Sequence, residues 1–458
     1  MRAVVALCLV LCAVTPAMAQ ENSDLDRIPQ AVESEPAAPA PNIDAHGKYF
    51  LENDFVLSSA RGMLAVASPS PPPSDWENRL SFDAFDQWSL GDGLTLTYSD
   101  RFNFTEANSI SFPSEALRNN LREVYLTWEP LTRTYLEFGR INLKNGIALG
   151  FNPTDFFKTR TAVAQASADP SALREDRFGT LMLRAQTIWD GGSLTFAYAP
   201  KVHTPRAITG ALPNAMDPSF DQTNTADRFL LALNFEIEEL SPQLLVYHES
   251  GRTKFGFNIS HPVGQSIIAY AEWAGGAAPN LIAQAVAFGK ATGTLLPATP
   301  VLPPTLTARA FQNDLAVGAS WTSVEKVTLN LEYHYHEAGF AQTDWHNWFD
   351  IGTADPAAAP ELWYVRGYAS DQQQPMTRHQ VFLRADWQDA FVPNLELSTI
   401  SFVNLYDGSC LAQVSAGYYL SDLWTIGGYV GSSFGGRRSE WGSLPSDTSA
   451  IFQLIRYF

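Results

Sequence analysis

The sequence predicts an all-β protein: one closed transmembrane antiparallel β-barrel of about eighteen strands, with about sixteen as the other count the pattern allows. Three observations predict it. Apolar and polar residues alternate with a period of two along most of the chain. Short and long connections alternate between those segments. No stretch beyond residue 20 approaches the roughly 18 consecutive apolar residues of a spanning helix. Composition agrees. Charged residues make up 17% of the 458 and hydrophobic ones 45%, with 28 Phe, 16 Tyr and 12 Trp, which excludes a chain disordered throughout. A net charge of -18 excludes a nucleic-acid binder that works by neutralising phosphates.

Residues 1–19 read as a secretory signal peptide. Arg2 is the positive n-region, Ala3 to Val14 the apolar stretch, and Ala17-Met18-Ala19 the cleavage site. Cys8 and Cys12 leave with it, so Cys410 is the lone cysteine of the mature chain and no internal disulfide is expected. Residues 20–47, acidic and rich in Pro and Ala, read as a disordered periplasmic arm. Residues 48–458 form the barrel.

Strands are expected at 48–58, 79–89, 94–105, 121–129, 134–143, 178–188, 193–200, 227–236 and 243–249. They continue at 254–260, 266–274, 313–321, 327–336, 378–388, 395–403, 411–420, 423–431 and 450–458. The alternation is plain at Val327, Leu329, Leu331, Tyr333 and Tyr335, which interleave with Thr328, Asn330, Glu332, His334 and His336. Several segments run to about nine to twelve residues, enough for a tilted strand to cross a bilayer. The pairs 79–89/94–105, 178–188/193–200 and 411–420/423–431 are joined by tight turns. Long segments at 59–78, 106–120, 144–177, 201–226, 275–312, 337–377 and 432–449 lie between, as short periplasmic turns and long outside loops require. Trp88, Trp128, Trp189, Trp273, Trp321, Trp387 and Trp424 fall at strand ends, where an interfacial girdle would sit.

The chain ends Phe452-Gln453-Leu454-Ile455-Arg456-Tyr457-Phe458. A terminal Phe458 closing an alternating strand resembles the assembly signal of Gram-negative outer-membrane proteins, with Arg456 departing from the usual apolar residue. That resemblance implies the cell outer membrane as location. Its implied partners are membrane lipid, lipopolysaccharide and the barrel-assembly machinery. Gly139-Arg140, Asn145-Gly146 and Asn152-Pro153-Thr154-Asp155 resemble a motif of porin-like and exporter-like proteobacterial barrels. The layout is similar to substrate-selective porins and to polysaccharide-export barrels.

Segment 144–177 is too long for a mere connector. Resemblance to general porins implies that it folds inward and narrows a pore. Its charged candidates are Asp155, Lys158, Arg160 and Asp169, opposite wall residues Arg101, Arg140, Arg184 and Arg384. Rings of such charge, in a lumen walled by low dielectric, set solute preference. In the plainer reading, Asn152, Pro153 and Asp155 cap a short helix. The charges placed in the wall are Arg79, Asp83, Arg101, Glu123, Glu137, Arg184, Glu236, Glu332, Arg384 and Asp386, and most are expected to brace it in cross-strand pairs.

Glu332, His334 and His336 share a strand face, but a metal needs a third, fixed ligand. No metal and no cofactor is expected. HExxH, the P-loop pattern and CxxCH are absent, and no enzyme is expected. The function implied is passive, selective passage of small hydrophilic solutes. Two other readings stand beside it. One is the exit barrel of an envelope export system, for instance for polysaccharide, with a periplasmic export partner. The other is an adhesive or structural surface barrel whose loops 275–312 and 337–377 bind partners.

Overall fold

The computed structural model describes residues 47–458 apart from 71–72, 109–115, 164–166, 209–213, 299 and 303–309. The signal peptide and, up to residue 46, the acidic arm lie outside the described residues. The first nine strands are β1 (Lys48–Ala60), β2 (Trp76–Gly91), β3 (Leu94–Ala107), β4 (Leu117–Leu131), β5 (Thr134–Ile141), β6 (Thr180–Trp189), β7 (Gly192–Ala199), β8 (Arg228–Phe235) and β9 (Gln243–Glu249). The others are β10 (Arg252–Val263), β11 (Ile267–Ala278), β12 (Ala310–Thr322), β13 (Val327–His336), β14 (His379–Trp387), β15 (Leu395–Asn404), β16 (Cys410–Ser421), β17 (Trp424–Phe434) and β18 (Ser446–Tyr457).

Each strand pairs antiparallel with its neighbours in the chain, and β18 pairs with β1 from Phe50↔Tyr457 to Ala60↔Ser446. That last ladder closes the ring, leaving no edge to be satisfied from outside. The count is 18 and not sixteen. The short segments between 243 and 278, the weakest part of the pattern, each form a full ladder with both neighbours.

The period of two becomes an inverted surface. On β13, Leu331 is 55% exposed while Glu332 and His334, on the opposite face, are 0% exposed. Leu80, Phe82, Phe104, Phe138, Leu231, Val414, Val430 and Phe452 continue the exposed apolar face around the ring. Charge inside and hydrocarbon outside is the reverse of a water-soluble sandwich. Trp88, Trp128, Trp189, Trp321, Trp387 and Trp424 all sit at the ends of strands that meet the short turns, while Trp273 lies within β11 opposite Leu315.

The two rims differ. At one, the connections are tight turns such as 92–93, 132–133, 190–191 and 422–423. The other carries the long loops, with Ser250-Gly251 between β9 and β10 as an exception to the length alternation. Glu236, expected in the wall, lies beyond the end of β8 in an exposed turn, where its N–H donates to Gly191. The chain leaves the ladder at Phe235, so the strand alternation no longer aims the next side chain inward.

The long connections of that rim carry five α-helices among the described residues: α1 (Pro170–Glu175), α2 (Phe220–Thr223), α3 (Leu281–Ala291), α4 (Gln342–Ala354) and α5 (Ala359–Asp371). Helices α3, α4 and α5 pack into a cap with its own apolar core. Leu281, Ile282, Trp345, Trp348, Phe349, Leu362 and Val365 are buried there together with Val66. The spacing Trp345, Trp348, Phe349, Gly352 is the i, i+3, i+4, i+7 stripe of an amphipathic helix, and that stripe is the face α4 buries.

Candidate functional site

Segment 142–179, between β5 and β6, leaves the wall, and its described residues run inside the ring. Its departure is prepared at Gly139. There φ is +145°, and a Cβ would stand 2.3 Å from the carbonyl oxygen of Val124, so the close approach of β5 to β4 requires glycine. The Arg140 guanidinium donates to the carbonyls of Gly179 (3.0 Å) and Pro218 (2.6 Å). It lies between the rings of Phe178 and Phe220 and ties the C-terminal end of the segment to the loop between β7 and β8.

Two carboxylates across the ring hold the middle of the segment. Glu272, on β11, accepts through one oxygen from the N–H groups of Ile147 (2.9 Å) and Ala148 (3.0 Å). Through the other it accepts from the N–H (2.7 Å) and hydroxyl (2.8 Å) of Thr154. Glu332, on β13, accepts from the N–H groups of Leu149 (2.6 Å) and Gly150 (2.8 Å), from the Tyr270 hydroxyl (2.7 Å), and from the His334 ring (2.8 Å). A strand-borne carboxylate meeting consecutive backbone N–H groups is a charge-assisted clamp, stronger than neutral hydrogen bonds. Gly146 makes room for it. Its φ is +91°, and a Cβ would stand 2.5 Å from the Glu272 carboxylate. The Asn145-Gly146 pair therefore belongs to the clamp.

The rest of the segment is tied off in turn. Asp155 receives both terminal nitrogens of Arg177, at 2.6 and 3.2 Å, in a buried pair within the segment. Asn152-Pro153-Thr154-Asp155 caps no helix, and residues 151–160 form successive turns. With its carboxylate engaged by Arg177, Asp155 offers no cap. The segment's helix is α1, whose N-cap is Asp169. Arg384, on β14, pairs with both Asp169 (2.9 Å) and Asp386 (2.6 Å). Gln413, on β16, accepts from the Ala168 N–H at 2.9 Å. Arg160 is buried and pairs with Asp371 of α5 (3.1 Å). It also donates to the carbonyls of Arg206 (2.7 Å) and Asp221 (3.3 Å), so it ties the segment to the cap rather than to the wall. Lys158 donates to the Asn152 carbonyl at 2.6 Å and lies 4.4 Å above the Phe151 ring.

The remaining wall charges brace one another. Arg101 pairs with Glu52 and Asp83, Arg79 with Asp54 (2.6 Å), and Arg184 with Glu137. Arg122 bridges Asp83 (2.5 Å) to Asp176 of the inner segment (2.6 Å). An extra residue in β4, where the ladder with β3 slips, accompanies this. Glu123 accepts from the Asn142 N–H at 2.7 Å, at the point where the segment departs. The structure thus brings Asp169, Arg384 and Asp386 together, and leaves Arg101 and Arg184 in separate wall pairs. Arg140 and Arg160 are anchors. Glu272 and Arg177 were not among the expected residues. Their one sequence signal is a charge at the inward position of an otherwise apolar strand for Glu272, and Arg177's place at the segment's end.

Glu332 and His334 belong to the clamp, His336 pairs with Asp314 (2.6 Å), and His346 lies exposed on α4. Among the described residues no group of three or more His, Cys, Asp or Glu side chains is placed to hold a metal. Gly431-Ser432-Ser433-Phe434-Gly435 has the G-x-S-x-G spacing of a hydrolase elbow. Ser433, however, lies within β17, paired with Leu411, where the elbow needs a strand-to-helix turn. Between the inner segment, the cap and loop 435–445 is a cavity of about 970 Å³.

No family model matches the chain, and no curated protein is similar to it. Among solved structures, Pseudomonas aeruginosa OccK11 is similar at 12% identity, with 90% of this chain and 95% of that chain covered and a TM-score of 0.48. A substituted form of the Rh. blastica porin is similar at 10% identity, covering 90% of this chain and 99% of that one, with a TM-score of 0.40.

Proposed function

We propose that the chain is an outer-membrane channel through which small hydrophilic solutes pass passively, restricted by segment 142–179 and the charged wall. One observation carries the reading: a closed ring, apolar outside and polar inside, holds its inner segment across the lumen by Glu272 and Glu332. An apolar exterior of this extent needs hydrocarbon around it, and a closed ring is the β-structure that hydrocarbon admits. Inside, paired charges and fixed backbone groups can select by width and charge without bond chemistry. Phe458, whose N–H donates to the Tyr49 carbonyl at the seam of the ring, fits a terminal assembly signal for the outer membrane of a Gram-negative cell.

Planar-bilayer recording with a panel of ions and sugars tests the reading. Stepwise conductance with a finite size limit is expected, and its absence in correctly assembled protein would refute passage. The cap favours a second reading, a surface barrel that binds partners through its loops. Under that reading the same recording finds a silent membrane.

A further inference from the structure

The cavity above the inner segment is unlike the rest of the interior. Phe151, Leu173, Trp363, Phe402, Leu411 and Trp441 give it mainly apolar walls. Its volume, about 970 Å³, falls within the range of small-molecule sites, roughly 300–1,000 Å³. Among these walls stand Lys158, Arg174, Arg177 and Arg366, against Asp155 and Glu440.

The two acids do not offset the four cations. Asp155 is taken up by both terminal nitrogens of Arg177. Glu440 accepts from Asn404, and burial pushes its carboxyl up to about 7. Lys158 and Arg174 make no ion pair among the described residues. The ammonium of Lys158 has a carbonyl and a ring face, and Arg174 donates to the carbonyls of Asn145 (3.0 Å) and Gly146 (2.9 Å). Glu272 and Asp314 act on Lys158, and Glu272 on Arg174, through space only, since four donors occupy the Glu272 oxygens and His336 engages Asp314. Three buried polar atoms on the cavity's lining residues also lack a partner: Arg174 Nε, Gln374 Oε1 and Trp441 Nε1. A buried cation that no carboxylate touches, and buried donors and acceptors without a partner, cost stability unless a ligand satisfies them.

We propose that this cavity binds an organic anion with an apolar body, an aryl- or alkyl-carboxylate, whose carboxylate sits between Lys158 and Arg174 and whose body lies against Trp363, Phe402 and Trp441. The proposal rests on the channel reading in that it names the solute class the channel would hold on its way through. The apolar walls argue against a sugar acid. Gln374 Oε1 and Trp441 Nε1 would serve two of its hydroxyls, and each further hydroxyl would be buried without a partner, which weakens binding.

The test titrates the full chain in detergent micelles with 3-phenylpropionate, glucuronate and chloride, following tryptophan fluorescence and heat. Expected is saturable binding of phenylpropionate, with glucuronate at least about tenfold weaker and chloride without effect. Lys158→Gln and Arg174→Gln each weaken phenylpropionate about tenfold, the loss of one charge-assisted bond, while Lys158→Arg retains it. Heat-modified gel migration checks that each variant has closed its barrel. Should either Gln variant fail to assemble, Trp363→Leu takes its place, with the same loss expected. The proposal is overturned if phenylpropionate shows no saturable binding, if glucuronate binds as well, or if the variants leave affinity unchanged. Conductance in potassium chloride separates the two readings. Conductance without phenylpropionate binding keeps the channel and removes this site. Binding without conductance keeps the site and removes passage.

Discussion

Replacing Glu272 by Gln keeps the shape of the clamp and removes half of its acceptors. In the native chain one carboxylate oxygen receives the N–H groups of Ile147 and Ala148, and the other receives the N–H and hydroxyl of Thr154. An amide has one oxygen. Whichever pair it keeps, its NH₂ then faces two donors, so two hydrogen bonds are lost and the donors are left opposed. Bonds to a charged acceptor are worth about 1.5–3 kcal/mol each, and water admitted at the site recovers part of that. A net loss of about 3 kcal/mol follows, or about a hundredfold in the balance between docked and released segment. The assay is amide hydrogen exchange, which reads local opening directly. The amides of residues 147–154 should exchange about a hundredfold faster, while amides in the β1–β18 ladder keep their protection. Single-channel traces should become noisier, with larger open levels. If the 147–154 amides exchange at the native rate in a correctly closed barrel, Glu272 does not hold the segment, and the reasoning from its hydrogen bonds fails.

Other perturbations test other contacts. Gly146→Ala places a methyl 2.5 Å from the Glu272 carboxylate at a φ of +91°, so it should release the same segment with no charge removed, read by the same exchange pattern. Arg160→Ala leaves Asp371 without its ion pair. It should loosen the cap by about 3 kcal/mol, the low end for a buried pair because Asp371 keeps some water, and expose α5 to protease while the barrel stays intact. Burial raises the Glu440 carboxyl from 4.5 to about 7, so the packed loop favours the protonated form. Exchange protection at residues 439–443 should be full below about pH 4.5, fall as pH climbs to about 7 and level off above, and Glu440→Gln should abolish that slope. Removing Phe458 should lower the fraction of chain that reaches the heat-modifiable, assembled form, measured by gel migration of membrane extracts.

The barrel was legible in the sequence because its environment imposes a rule on every residue of every strand. Lipid on one side and lumen on the other must alternate, and the rule is local enough to read over a few residues, as at Leu329, Leu331 and Tyr333 against Asn330, Glu332 and His334. The cap was legible in principle, since Trp345, Trp348 and Phe349 carry a helical period. It was hidden because a long stretch between strands reads as a loop, whatever its period. The clamp showed only as inward charges at Glu272 and Glu332, and what they hold was not legible. Glu272 meets partners over a hundred positions away, and those partners are backbone N–H groups, which every residue but proline carries. A side-chain alphabet cannot record which of them is used. The charges that did stand out, Asp155 and Arg160, turn out to be spent within the segment and the cap. Lys158, by contrast, lines the cavity with a cation that no carboxylate pairs among the described residues. In such a lumen the number of charges says little about selectivity. What a solute meets is the remainder after internal pairing, and that remainder is fixed only once the inner segment is docked.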